Sequence, residues 1–315
     1  MRKRGDDNLA GPSMSIIHLS QGLDASRRIS FQMPKWLLIM PCIGLLFVWT
    51  TFPLLTTIYY SFQRYNLLSP MMTGSAGIEN YAYLFTDPAL YAAIANTLIL
   101  VGSVVFVTIA VGTLLAVLFD QDFPGRNIAR VLAISPFFVM PTVAALIWKN
   151  LLMHPIYGVF ASIANSIGLA PVDWFTQWPL LSVVIIVSWQ WIPFAALILI
   201  TAMQSLDGEQ MEAARMDGAR GIVAFRYIVL PFLARPIAIV VLIETIFLFS
   251  VFAEILVTTG GGPGLETTNL TYLIYIKAIL EWNIGGASAA GIVSIVVANV
   301  VAFILVATVA RNFAK

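Results

Sequence analysis

Apolar residues run along this chain in long blocks, and shorter polar stretches separate them. Six blocks are long enough to cross a bilayer as helices, since about 20 residues rising 1.5 Å each span the hydrocarbon. They lie at residues 36–61, 91–119, 131–148, within 174–206, at 237–257 and within 282–310. The first block is uncharged, and Pro41 and Pro53 mark places where it can kink. It is too long for the apolar region of a signal peptide, so it is read as a retained anchor. The fold class predicted is an all-α membrane protein with six transmembrane helices. Six crossings put both chain ends on one side. Residues 1–34 are polar and rich in Gly, Pro, Ser and Asp, which predicts a mobile tail before a membrane domain at 35–315.

One polar interruption has internal order, the segment of about 206–236 that contains EAARMDGARGIVAFRYIVLPFLARP. Asp207 is placed to cap a helix, with Gln210 as the reciprocal partner of a capping box. That helix is expected to run to about Asp217. Gly218 then ends it by taking the left-handed conformation. A second amphipathic helix follows, with Ile222, Phe225 and Val229 on one face, and Pro231 and Pro236 limit it.

Charge orients the blocks. Of the 17 lysines and arginines, 14 fall in the tail, the loop after the second block, the segment after the fourth and the C-terminus. Arg64, Lys149 and Lys277 fall on the other side. Basic residues stay in the cytoplasm, so the tail, the Glu212 segment and the C-terminus are predicted there. Composition agrees with a bilayer setting: 59% of the 315 residues are hydrophobic, 10% are charged and the mean hydropathy is +0.89. Soluble domains carry about 25% charged residues. A net charge of +1 gives no footprint for nucleic acid. Cys42 is the single cysteine, which excludes an internal disulfide and a cysteine metal cluster. Its place inside an apolar block predicts a packing role.

The chemistry of catalysis is sparse. No GxxxxGK[ST] loop occurs, so ATP hydrolysis by this chain is not expected. His18 and His154 are the two histidines; there is no HExxH and no hydrolase triad, and no metal or cofactor is implied. Glu244 and Glu254 fall in the fifth block, where charge is costly and suggests function. On one ideal helix they would lie about 80° and about 15 Å apart, which excludes a paired acid–base site. Glu254 reads as an interfacial carboxylate near the outer end. Glu244 lies deeper, and a cavity role and an inter-helix bond are equally open. Trp189, Gln190 and Trp191 offer aromatic faces and an amide to a sugar, or simple packing. Neighbouring helical residues point about 100° apart, so the two tryptophans cannot share a face. Ala287 and Gly291 suit close helix packing. The run Gly260, Gly261, Gly262 and Pro263 is either a flexible linker or a shaped loop.

The residues Glu212-Ala213-Ala214, Asp217-Gly218-Ala219, Phe225, Ile228 and Leu230-Pro231 resemble the EAA loop of permease subunits of binding-protein-dependent ABC importers. The turn TGGGP at 259–263 and the wording FPLLTTIYYSFQRYNL at 52–67 resemble the carbohydrate-uptake type. The resemblance runs from about residue 36 to the C-terminus. It implies a type I importer permease fold in a bacterial inner membrane, translocating a sugar or polyol delivered by an external binding protein. It also implies a second permease subunit and separate ATPase subunits that grip the loop. Glu212 would then be the charged contact, Ala213 and Ala214 the close-approach surface, and Asp207, Asp217 and Gly218 the frame of the helix. Gly260 to Pro263 would touch the binding protein, and Trp189, Gln190, Trp191, Glu244 and Glu254 are candidates for the pathway. Other readings stay open: a permease of this type for phosphate, peptides or amino acids, an ion-coupled transporter with Glu244 or Glu254 as proton site, or a membrane scaffold.

Overall fold

The computed structural model describes residues 35–219 and 221–313. The expected tail at 1–34, and Arg220 within the loop, lie outside the described residues. Helix α1 spans Lys35–Ser61 without a break at Pro41 or Pro53. A two-stranded ribbon follows, β1 (Gln63–Arg64) antiparallel to β2 (Gly74–Ser75). Then come α2 (Glu79–Thr86), α3 (Pro88–Asp120), α4 (Arg126–Ile134), α5 (Pro141–Ile147), α6 (Val159–Ser166) and α7 (Trp174–Gln177). The chain continues through α8 (Pro179–Met203), α9 (Gly208–Met216), α10 (Ile222–Ala224), α11 (Leu230–Leu248), α12 (Ala253–Thr258), α13 (Leu270–Tyr275) and α14 (Ile284–Phe313). Three π-turns interrupt the α geometry, at Trp148–Leu152, Phe225–Val229 and Ile276–Leu280.

Contacts divide the chain at Phe52 and Pro53. In the first part α1 is a plain apolar helix whose side chains from 39 to 50, Cys42 included, are exposed. The packing role expected for Cys42 is therefore not met, because no buried neighbour surrounds it.

The second part is built on α3, α8 and α11. Near one end Leu100 and Val104 of α3 pack with Val183 and Val187 of α8 and Leu248 of α11. Near the other end Ala116 and Phe119 pack with Ala196, Leu199 and Leu233. So α3 and α8 run parallel, and α11 runs against them. Gly112 makes this possible, because a Cβ there would lie 2.9 Å from the Ala195 Cβ. The two backbones almost touch at that level, as small residues permit in membranes. The first turns of α14 bury Ala287, Ala289 and Ala290, and Val293, Val297 and Val301 pack partly buried on the cores. Val296, Val300, Phe303 and Ile304 are exposed, a face that for such a helix meets lipid or another subunit.

Among the described residues five helices are long and apolar enough to cross a membrane, six with the bent pair counted as one span. The bend corrects the straight third span. Arg126–Phe138 and Pro141–Leu152 meet at 106°. Pro141 forces the preceding residue out of helix, and Met140 sits at ψ 139°. The fifth span is corrected as well. It ends at Leu248, and residues 249–252 break it before α12. Carbonyls freed by that break are taken by later side chains. Asn269 donates to the Val251 oxygen at 2.6 Å, and Thr271 donates to the Phe249 oxygen at 2.8 Å. The second amphipathic helix is not limited by its prolines either. Ile222–Leu248 is one continuous apolar span, with Pro231 in the first turn of α11 and Pro236 inside it. The π-turn just ahead of Pro231 absorbs the change, since the Leu230 amide bonds five residues back to the Phe225 oxygen.

Candidate functional site

The Glu212 segment forms as its residues dictate. The Asp207 carboxylate accepts from the Glu209 amide at 3.0 Å, the N-cap bond expected of it. Gln210 makes no reciprocal bond among the described residues. Glu209 lies in the first turn of α9, where the helix dipole favours negative charge, and Glu212 at its middle. Gly218 takes φ +86° and stops the helix after Met216. Glu212, Ala213, Asp217 and Gly218 are all exposed, as is Met216 at 89%. Ala214 lies within α9. Met211 is the inward anchor, packed against the cluster that holds Phe119, Leu199 and Val229. A cavity of about 390 Å³ separates α9 from the bundle, lined by Asp120, Met211, Ala219, Phe225 and Val229 among others. The face expected for the next helix is revised: Ala224 and Val229 are buried, while Ile222 is 81% exposed.

The mid-membrane candidates separate into distinct environments. Glu244 is fully buried, and its Oε2 accepts from the Thr108 hydroxyl at 2.5 Å. The inter-helix bond is thus present, between α11 and α3, while its Oε1 has no partner among the described residues. Glu254 is buried at 5% exposure, in α12 beyond the break. It is not on one helix with Glu244, so the ideal-helix spacing does not apply. Trp189 packs edge-on against Trp148, while Trp191 packs against Phe137, Phe194 and Phe247. The two tryptophans do face different ways. Gln190 lies between them, buried, and its amide donates to the Val139 oxygen at 3.2 Å, inside the 106° bend. Ala287 is buried, and Gly291 lies near Thr57 of α1.

The glycine run is a shaped loop. Gly260, Gly261 and Gly264 have positive φ, and Gly262-Pro263 is a cis peptide. Gly261 is buried, and a Cβ on it would meet the Tyr272 ring at 2.5 Å. Thr268 donates to the Gly261 oxygen at 3.0 Å and Thr267 to the Gly262 oxygen at 3.1 Å. From α3, Asn96 donates to the oxygens of Leu265 and Thr268 at 2.7 and 3.0 Å. Lys149 donates to the last carbonyls of α12, those of Val257 and Thr258, at 3.0 and 2.7 Å. A cation at a helix C-terminus is favoured by the dipole. Pro263, Gly264, Leu265 and Glu266 face outward on this frame.

Sequence reasoning missed Asn96, Asn269 and Lys149. Asn269 uses both ends of its amide: its Nδ2 holds Val251, and its Oδ1 accepts from the Tyr272 amide at 2.8 Å to cap α13. An asparagine just before an apolar helix was the available signal. At the same end of the bundle, Lys277 bonds Asp87 at 2.9 Å, and Asp87 caps α3 through the Ala89 amide. Partial burial pushes the Asp87 carboxyl up, but the lysine and that amide outweigh it and hold it below its ordinary value.

Residues 108–315, two thirds of the chain, match the family described as binding-protein-dependent transport system inner membrane component. The chain belongs to this family. It is therefore a membrane component of a transport system rather than a scaffold. It is 34% identical over 265 residues to the probable ABC transporter permease protein y4oQ of Sinorhizobium fredii, covering 84% of this chain and 85% of that one. It is 28% identical to the sulfoquinovosyl glycerol transport system permease protein SmoG of Agrobacterium fabrum, covering 83% and 90%. The fold matches a chain of a bacterial alginate ABC transporter, solved in complex with an alginate pentasaccharide-bound periplasmic protein. That match has a TM-score of 0.74 at 22% identity, over 89% of this chain and 95% of the other. The type I importer permease fold implied by the EAA-like wording is thus the fold of this family member.

Proposed function

We propose that this permease imports a sugar or polyol, handed over by an external binding protein and driven by ATP hydrolysis on separate subunits. The observation that carries the reading is α9. It is a short capped helix with Glu212 and Ala213 turned outward and Met211 as its inward anchor, at the end of the bundle opposite the glycine loop. A surface of that kind suits a cleft in a partner. The carbohydrate class is supported by the likeness to SmoG, whose substrate is by name a sugar glycoside, and by the TGGGP turn.

In this reading two ATPase subunits grip α9 and its counterpart on a second permease. Their closure pushes Met211 and Phe225 against the lower cluster. The continuous helix Ile222–Leu248 carries that motion to Glu244 and its bond with Thr108. The α9 side faces the cytoplasm, in keeping with the distribution of basic residues. Pro263 and Gly264 present the outer loop to the binding protein.

The test is purification of the tagged chain with its partners, then ATPase and uptake assays in proteoliposomes. The expected result is co-purification of a second permease and an ATPase, with activity stimulated by sugar-loaded binding protein. Uptake without ATP, abolished by an uncoupler, would reject it in favour of ion coupling.

A further inference from the structure

The loop between β1 and β2 has an unusual surface. Leu68, Met71 and Met72 are 69%, 98% and 74% exposed. Residues 66–73 carry no charge. Beside the stem Arg64 and Glu79 neutralise each other at 2.5 Å, and Glu281, whose backbone oxygen Asn66 meets at 3.5 Å, is the remaining exposed carboxylate. On a loop standing in water such a tip would be costly, because apolar area gains nothing there.

The height of the loop is fixed by bonds. Leu67 donates to the Trp282 oxygen at 2.9 Å, and Gly285 donates to the Tyr65 oxygen at 3.1 Å. Asn66 bridges Asn283. These partners stand where α14 begins, and the apolar span of that helix is Ile284–Val309. At about 39 Å that span exceeds a hydrocarbon thickness of about 30 Å, so the stem of the loop sits in the boundary region at the end of the span. Tyr83 and Trp282 are exposed around it, the residue types that favour a membrane–water boundary. The loop stands at the start of α14, whose later apolar side chains Val296, Val300, Phe303 and Ile304 are exposed.

We propose that this loop is a lipid-facing foot, with Leu68, Met71 and Met72 inserted among the headgroups and upper acyl chains of one leaflet. That leaflet is the outer one in the orientation given above; the insertion itself does not depend on the orientation or on the transported solute. The foot braces the outer ends of α1 and α14 against the bilayer. A soluble partner would have to reach a neutral, apolar tip at the depth of the membrane edge. Lipid is already there.

The single native cysteine makes the test direct. In a Cys42→Ser background, Met71→Cys is labelled with an environment-sensitive fluorophore, and Leu68→Cys serves as a second reporter. The complex with its partner chains is placed in nanodiscs whose lipids carry bromine at defined acyl carbons. Insertion predicts that bromines near the headgroup quench about half the emission while aqueous iodide quenches little, as for a group seated roughly 5–10 Å into the boundary. Strong iodide quenching without bromine quenching at both positions would overturn the proposal. So would emission insensitive to both quenchers, which would mean that a protein covers the tip. Failure of sugar uptake in the same preparation would leave this readout unchanged.

Discussion

The two ends of the bundle are built on opposite principles. At one end α9 hangs on a single cap bond and one anchoring methionine, with its acids and small residues turned outward. At the other, side chains of Asn96, Thr267 and Thr268 hold the backbone oxygens of Gly261, Gly262, Leu265 and Thr268 in and beside the glycine loop. The first arrangement leaves its surface outward, as the proposed grip by a partner requires. The second spends its polar groups on its own shape, as a proposed fixed contour requires.

Gly261→Val should do the most damage. Its Cβ would enter the Tyr272 ring from a backbone at φ +83°, and strain with overpacking should cost at least about 3 kcal/mol. The check is thermal unfolding and the yield of assembled complex; a variant with native stability would show the loop to be pliable after all. Asn269→Ala comes next. It strands the Val251 carbonyl and removes the α13 cap together, for an expected loss of ~2–3 kcal/mol. Additive loss from Asn269→Asp, which keeps the cap acceptor, would separate the two bonds.

A smaller effect is confined to acid. Asp87 is held below its ordinary value by Lys277 and the Ala89 amide, against the upward push of burial. Its contribution is therefore fully present above the ordinary carboxylate pKa, and is lost as pH falls through the lowered one. Unfolding midpoints should fall more steeply below about pH 4 in the native chain than in Asp87→Asn. Parallel curves would remove the pair from the account. The smallest change in stability is expected at the other end. Glu212→Lys, on an exposed face, should alter unfolding by no more than about 0.5 kcal/mol, yet abolish ATPase coupling and uptake. If coupling survives, the gripping surface is not α9.

How much of this could be read in advance depended on how local the cause was. The Asp207 cap and the Gly218 stop were legible because each acts within three or four residues of itself. Four of the five long helices were legible in their bounds because hydropathy alone sets them; the fifth was located but displaced. The 106° bend was half legible: Pro136 and Pro141 stand in the sequence, but Gln190, which bonds inside the bend, is on another helix. The break at 249–252 was not legible, for no glycine or proline occurs there. Its carbonyls are held by Asn269 and Thr271, a helix later, and so Glu254 was carried into a span it does not occupy. Glu244 was singled out by cost alone; its partner Thr108 lies 136 positions away. The docking role of α9 and the outer role of Pro263 remain proposals whose shapes now fit them.

The three π-turns each carry one basic residue, Lys149, Arg226 and Lys277. Each turn also stores one surplus residue in its helix. The turn at Phe225–Val229 stands between α9 and the long span that leads to Glu244. Deleting a single residue there would leave an unbroken α-helix, still able to pack. It would also swing α9 by about 100° and draw it in by about 1.5 Å. The stretch thus acts as a spacer cut to a tolerance of one residue, and chain length at this point is as much a specification as chemistry.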